Sequence, residues 1–373
     1  MKYEACVDCS KITPVYEGSL IDEQESDFLE HDAIKGRKIM AKMTTQFCIE
    51  CRKETEYKIQ KEHLLHEIKG KSYDFEILVA RCKECHEKVN LPGLMDINSK
   101  LIDEQYRQFE NLVSIEDINS LMEVYNIGKA PLSLALGFGE ITITRYLQGQ
   151  YPSFEYSSII RKAISNPKYM LDLLERNKEK VGETAYKKAF TAASGLKKLV
   201  ESLSDKMLIT ISYIFEKAED ITPLALQKLL YYVQAIFMAN YEKPLFIEEC
   251  EAWAHGPVYN KVYNIFKEFK YNPIDDKRFI IFKGRFNSLS KEEKDIIDMV
   301  INTFGVYSGK TLEALTHKES PWADVFSDSD IYDYANETIT KDSIRSYFNT
   351  VALTYNLATE EGLKEYIQNQ LAC

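Results

Sequence analysis

The chain has 373 residues, 45% hydrophobic and 28% charged, with a formal net charge of −11. That balance excludes a disordered chain and a strong non-specific binder of nucleic acid, and the length predicts two or three domains with cores of their own. The longest apolar run, "LLYYVQAIFMA", carries Gln234 and falls short of the roughly 18 residues that span a bilayer, and "MKYEACVDCS" lacks the apolar stretch of a signal peptide, so a cytoplasmic protein without membrane contact is expected.

Residues 1–46 read as an N-terminal extension. It holds one C-x-x-C pair, Cys6 and Cys9, and the acidic, aperiodic "GSLIDEQESDFLEHD", a composition of low order. Residues 47–96 change character. "TEYKIQKEHLLHEIKGKSYDFEILVARC" alternates around "KGKS", which predicts a hairpin or small meander between two further knuckles, Cys48/Cys51 and Cys82/Cys85. Each C-x-x-C turn can supply two thiolates, and the 30 residues between Cys51 and Cys82 suffice for a hairpin that brings the knuckles together. Four thiolates suit one structural Zn2+ at Cys48, Cys51, Cys82 and Cys85, a closed site that does no chemistry. Cys6 and Cys9 leave three outcomes open: a second ion with His31, competition for the first site, or no ligand. His86 reads as a neighbour of the knuckle. His63 and His66, three apart in a strand, point to opposite faces and do not share a metal.

Residues 97–180 turn helical, with Leu101, Tyr106, Phe109 and Leu112 followed by Ile115, Ile118, Leu121 and Val124. Within "NIGKAPLSLALGFGEITITRYLQGQ" the pattern predicts a helix from Lys129 to Leu136, a glycine turn at 137–139 and a second helix from Glu140 to Gln148. That is the spacing of a helix-turn-helix, with the small Ser133 allowing close approach. Ile143, Tyr146 and Leu147 form a packing stripe. Ile141, Thr144, Arg145 and Gln148 form an outward stripe suited to base edges: Arg to guanine, Gln to adenine, Ile or Thr to a thymine methyl. Lys129, Tyr151, Ser153 and Arg161 are candidate phosphate contacts. Between Lys129 and Lys162 four cations face two anions, a mild basic patch.

Residues 181–204 read as a linker helix with Gly195 as its weak point. Residues 205–373 read as all-helical. Thr222-Pro223 starts one helix, Gly256-Pro257 opens another, and Ser290 with Glu293 forms a capping box before a helix closed by Gly305. This half carries 18 Lys and Arg against 26 Asp and Glu, a net of −8, so most of the acidity sits here and points to a protein partner. Tyr231, Tyr232, Trp253, His255 and Trp322 are the candidate contacts with that partner; for the aromatics, core packing is the competing reading. Cys250 reads as a buried, inert thiol. With His255 it offers a thiol-enzyme alternative, but no orienting third group is visible. The expected fold class is therefore mainly α with a small zinc-bound β module: a zinc ribbon-like domain, a helix-turn-helix domain and a helical C-terminal domain.

Two resemblances sharpen this reading. The knuckles followed by Gly137, Gly139, Arg145, Tyr146 and Gly149, with "NPKYMLDLLERN" behind, resemble the MqsA-type antitoxins over roughly 46–178. The resemblance implies that Arg145 reads a base; a second reader of that family, an asparagine, falls here on Ile141, which implies a different operator. The stretches "TPLALQKLLYYVQAIFMANYEKPLFIEECEAWAHGPVYNKVYNIFK", "LTHKESPW" and "ITKDSIRSYF" resemble the Panacea, or SocA-like, domain over about 205–370. The two together imply a homodimeric, non-enzymatic antitoxin that binds operator DNA with one part and a cognate protein toxin with another. An adaptor that delivers the toxin to a protease is the alternative role, and a zinc or thiol hydrolase a weaker one.

Overall fold

Two successive left-handed residues, Lys69 (φ 52°) and Gly70 (φ 79°), join β2 (Lys53–Ile68) to β3 (Lys71–Cys82). Positive φ at both central positions is the type I′ geometry that matches the twist of a two-residue hairpin. The register runs from Ile68↔Lys71 back to Tyr57↔Cys82, and β1 (Thr45–Cys48) pairs antiparallel with the first four residues of β2. The expected hairpin is therefore present. The computed structural model describes residues 45–328 and 337–372. Cys6, Cys9, His31 and nearly all of the 1–46 extension lie outside the described residues.

Helix α1 (Leu94–Phe109) lies along β3. Tyr106 closes a small core with Tyr73 and Phe75, to which Leu64, Ile102 and Leu112 add. Two amides of α1 also satisfy the free edge of β3. Asn98 accepts from Leu78 N and donates to Leu78 O, both at 2.8 Å; Gln105 does the same at Glu76, at 2.8 and 2.7 Å. An open strand edge invites pairing with another chain, and these side chains close it. The helix expected to open the helix-turn-helix region thus packs on the sheet instead. The described residues up to Ser114, with Tyr151–Ser158, form one compact unit; Ile115–Gln150 and the chain from Ile159 form the other.

The second unit begins with α2 (Ile115–Val124), α3 (Lys129–Ala135) and α4 (Thr142–Leu147), followed by α5 (Phe154–Ser165, its first turn in the other unit), α6 (Pro167–Arg176), α7 (Lys178–Val181) and α8 (Glu183–Ser202). Helices α3 and α4 end in the same way. Phe138 N donates to Ser133 O (2.8 Å) and Gln150 N to Arg145 O (3.0 Å), each across a left-handed glycine, Gly137 (φ 79°) and Gly149 (φ 97°). This six-to-one bond is the Schellman ending, which needs a residue tolerant of positive φ. Gly195 does not interrupt α8.

Helices α9 (Asp205–Lys217), α10 (Pro223–Tyr241), α11 (Asn260–Phe266), α12 (Lys291–Phe304), α13 (Gly309–Thr316), α14 (Ser320–Asp328), α15 (Lys341–Ala352) and α16 (Glu360–Ala372) complete the unit, with a 3-10 segment at Lys277–Ser288. Thr222 Oγ1 caps α10, and the Ser290/Glu293 capping box starts α12 as expected. Ala225 to Met238 are buried without a break, so α10 is the central helix, enclosed by α12, α13 and α15. No described helix is long and apolar enough to cross a membrane. The fold class is thus mainly helical with a small sheet beside four cysteines.

Two details correct the expectation for the C-terminal half. It contains a short sheet, β5-β4-β6, built from β4 (Cys250–Trp253), β5 (Gly256–Val258) and β6 (Thr338–Ile339). Gly256-Pro257 therefore sits in a strand and does not open a helix, which begins only at Asn260. The reason is close packing on α10 and α13. A Cβ at Gly256 (φ 88°) would come within 2.7 Å of Lys228 Nζ and 2.6 Å of Thr316 Oγ1.

Candidate functional sites

The hairpin brings its two ends together, and with them the two knuckles. Cys48 closes β1, Cys82 closes β3, and Cys51 and Cys85 follow in the turns. All four sulfurs lie within 4.8 Å of one another. The contacts Cys48–Cys85 and Cys51–Cys82 measure 3.4 and 3.8 Å. Tetrahedral zinc with Zn–S near 2.3 Å sets its sulfurs about 3.8 Å apart, so the donor set fits a structural ion. The two turns share one geometry. Arg52 N bonds Cys48 O (2.8 Å) and His86 N bonds Cys82 O (3.0 Å), and both Arg52 (φ 55°) and His86 (φ 63°) are left-handed. Backbone amides point at sulfur: Cys51 N at Cys48 Sγ (3.5 Å) and Glu84 N at Cys82 Sγ (3.3 Å). Thr55 Oγ1, 3.3 Å from Cys82 Sγ, is the first cause that lowers this thiol to about 6. His86 contributes backbone to the knuckle and its side chain is exposed. His63 pairs with Asp74 across the hairpin (3.0 Å), away from the cysteines.

In the second unit, α3 and α4 pack against each other, and α4 also packs on α2. Ile143 and Tyr146 are buried and Ile141, Arg145 and Gln148 exposed, so the two stripes separate at these positions, while Thr144 of the outward stripe and Leu147 of the packing stripe are both half-buried. Lys129 is exposed at the start of α3. Helix α4 starts two residues later than expected, with Thr142 N bonded to Gly139 O (2.9 Å). Its N-cap position is Ile141, whose side chain has no oxygen to offer. The missing cap comes from the preceding helix. Ser133 Oγ, fully buried, accepts from Ile143 N at 3.0 Å and donates to Lys129 O at 3.1 Å. The sequence reading valued Ser133 only for its size. Tyr151 and Ser153, expected beside Lys129, belong to the first unit, where Arg107 lies 4.9 Å from the Tyr151 ring centroid.

The third constellation collects widely separated C-terminal motifs. Lys228 in α10 is fully enclosed and donates to Pro257 O at 3.0 Å. Glu319 is equally enclosed and accepts from the hydroxyls of Tyr232 (3.0 Å) and Tyr366 (2.7 Å). Burial pushes Lys228 down to about 7 and Glu319 up to about 7. Above them Trp322 Nε1 donates to Trp253 O (2.8 Å), and its ring stacks on His317 with centroids 4.0 Å apart. His255 Nδ1 is 3.3 Å from Glu313 Oε1, and its side chain is 69% exposed.

These positions correct part of the expected contact set. Tyr231 and Tyr232 have no exposed surface and Trp322 almost none, because α10 is central and Trp322 is locked to the β4 backbone. Of the five residues, only His255 and the half-buried Trp253 present surface to another molecule. Cys250 is buried, its thiol pushed up to about 12, first by burial; His255 is bonded to Glu313. Lys228 and Glu319 escaped the sequence reading, although a lysine inside "LALQKLLYYVQAIF" is itself a signal, since an ionisable group in an apolar run needs a buried partner.

The family profile described as "Antitoxin SocA-like, Panacea domain" matches residues 226–323, a span that contains Lys228, His255, Glu319 and Trp322. No match was found among curated proteins or among solved structures. The C-terminal half thus contains a Panacea domain, the domain of SocA-like antitoxins.

Proposed function

We propose that this chain is the antitoxin of a two-component toxin–antitoxin system. The Panacea domain neutralises a protein toxin by direct binding. The exposed face of α4 reads operator DNA, with Arg145 as the base reader, Ile141, Thr144 and Gln148 beside it, and Lys129 on a phosphate, and so represses the chain's own operon as a homodimer. The four cysteines hold a structural Zn2+ that fixes the β module and takes no part in chemistry. The observation that carries this reading is the Panacea match over 226–323. Support for the DNA arm is the segregation of an exposed Ile141/Arg145/Gln148 stripe from the buried Ile143/Tyr146 stripe, with Ser133 holding the α4 start.

The test uses the full chain, because α2 packs on the 277–288 segment and truncation at 204 would strip that support. Each neighbouring open reading frame is expressed alone and with this chain. Rescue of growth by the wild type, with tight co-purification, is the expected result. Arg145→Ala should keep the rescue and lose promoter occupancy. No rescue with any neighbour, or full occupancy by Arg145→Ala, overturns the corresponding half.

A further inference from the structure

The mild basic patch expected around α4 understates the charge of this region. From 159 to 198 the chain carries ten Lys and Arg against four Asp and Glu, a local net of +6 in a protein of −11. All forty residues belong to the second unit, the one that contains α3 and α4. Two of the four acids are engaged within the segment: Glu183 pairs with Lys187 at 2.6 Å, and Glu175 accepts from the Tyr186 hydroxyl. Asp172 and Glu179 are exposed. The cations Arg176, Lys178, Lys180 and Lys188 are exposed as well. Lys178 rests over the Tyr186 ring at 4.8 Å, a contact that leaves its charge in place.

Their position ties them to α3. Helix α7, which carries Lys178 and Lys180, packs beside α3. Asn177, between Arg176 and Lys178, donates to Ala135 O at the C-terminal end of α3 (3.0 Å). Lys188 lines one groove with Gly128, the N-cap residue of α3. The cations therefore bracket both ends of the first helix of the α3–α4 pair. In helix-turn-helix docking that helix crosses the phosphate backbone while the second enters the groove.

We propose that Arg176, Lys178, Lys180 and Lys188 form a phosphate-contacting flank that grips the same duplex whose bases α4 reads. The proposal rests on the DNA-binding reading of α4 and extends it from a reader to a reader with a sequence-independent clamp. It also accounts for how an acidic chain holds DNA: the surplus positive charge lies in 159–198, with four of its cations beside α3, and the surplus carboxylates lie mainly beyond 205.

The experiment titrates the full-length protein with two duplexes of equal length, one from the promoter upstream of its own gene and one unrelated, between 50 and 200 mM KCl. The variant is Arg176→Gln/Lys178→Gln/Lys180→Gln/Lys188→Gln, with circular dichroism and thermal melting as the check on folding. Each released counterion contributes about −0.9 to the slope of log K against log[salt], so the quadruple variant should be shallower by about 3 to 4. Binding should weaken by at least about tenfold, by the same factor on both duplexes, because phosphates carry no sequence. If the quadruple variant fails to fold, Lys180→Gln and Lys188→Gln are measured singly, each with an expected change of about 0.9. An unchanged slope in a folded variant, with wild type still bound to its promoter, overturns the clamp and leaves the DNA reading standing. A variant that keeps DNA and loses the toxin overturns it too, and assigns the patch to an acidic protein. Wild type that binds no duplex sinks the clamp and the DNA reading together.

Discussion

Ser133→Ala tests how α4 is held. Its oxygen accepts the buried Ile143 amide at 3.0 Å, and no side chain within α4 replaces it, because Ile141 occupies the N-cap position. Removal leaves that donor enclosed without a partner, which costs about 1–3 kcal/mol. The vacated space is one oxygen in a fully buried site, so relaxation recovers little. With a urea slope of about 3 kcal/mol/M, the unfolding midpoint of the unit should fall by roughly 0.3–1 M. Hydrogen exchange at the Ile143 amide should accelerate by more than global unfolding accounts for, because the first turn of α4 frays locally. Ser133→Thr keeps the hydroxyl but adds a methyl to an enclosed site, and overpacking of about 1–3 kcal/mol is expected there as well. A Ser133→Ala midpoint within about 0.1 M of wild type, with unaltered exchange at Ile143, would refute this account of the remote cap.

Purified protein should carry at least one zinc per chain, and a thiol-reactive mercurial should release it; Cys82→Ser should lower the zinc content by one and melt the β module, while the helical far-ultraviolet signal of the second unit remains. Stability should depend on pH in two windows. Lys228, held down to about 7, is less protonated folded than unfolded between about 7 and its ordinary 10.5, so stability rises with pH there; Glu319, raised to about 7 from 4.5, is more protonated folded, so stability falls as pH rises from about 4.5 to 7. The upper window is worth about 5 kcal/mol and the lower about 3 kcal/mol, Lys228→Met should flatten the upper one and Glu319→Gln the lower, and chemical denaturation from pH 5 to 10 reads both. Asn98→Ala/Gln105→Ala should uncover the β3 edge and promote self-association, visible as a concentration-dependent mass in light scattering.

Local chemistry was legible in the sequence, and long-range chemistry was not. The "KG" turn, the cysteine spacing, the Thr222 and Ser290 caps and the two stripes of α4 each follow from residues within a few positions of one another. Gly256-Pro257 was misread as a helix start because its constraint is not local: the glycine is required by Lys228 and Thr316, 28 and 60 residues away in the chain. Tyr231 and Tyr232 fail as surface anchors for the same reason, since only tertiary packing reveals that α10 is enclosed on every side. The role of Ser133 hid behind its size: a helix expected from Glu140 puts Ile141 inside it, and only the observed start at Thr142 leaves Ile141 as an N-cap residue with no side-chain oxygen.

The buried convergence of the C-terminal motifs also bears on how a Panacea domain would take a partner. Lys228, Gly256, Thr316, Glu319 and Trp322 come from three stretches of sequence, yet each spends its polar or close-packed atoms on another part of the same domain. Residues so committed constrain the scaffold and offer little to a toxin. For the proposed toxin contact this leaves side chains that reach the surface, of which we single out Trp253 and His255 at the β4–β5 hairpin and Tyr263, whose ring meets Trp253 at 4.9 Å. Trp322→Phe removes the bond to Trp253 O and trims the ring stacked on His317 and Phe326, and should lower stability without altering which partner is bound. His255→Ala together with Tyr263→Ala should leave the melting temperature nearly unchanged and weaken toxin binding by tenfold or more, as loss of an aromatic anchor does. Isothermal titration against the toxin separates the two cases, and the reverse pattern would place recognition in the interior motifs after all.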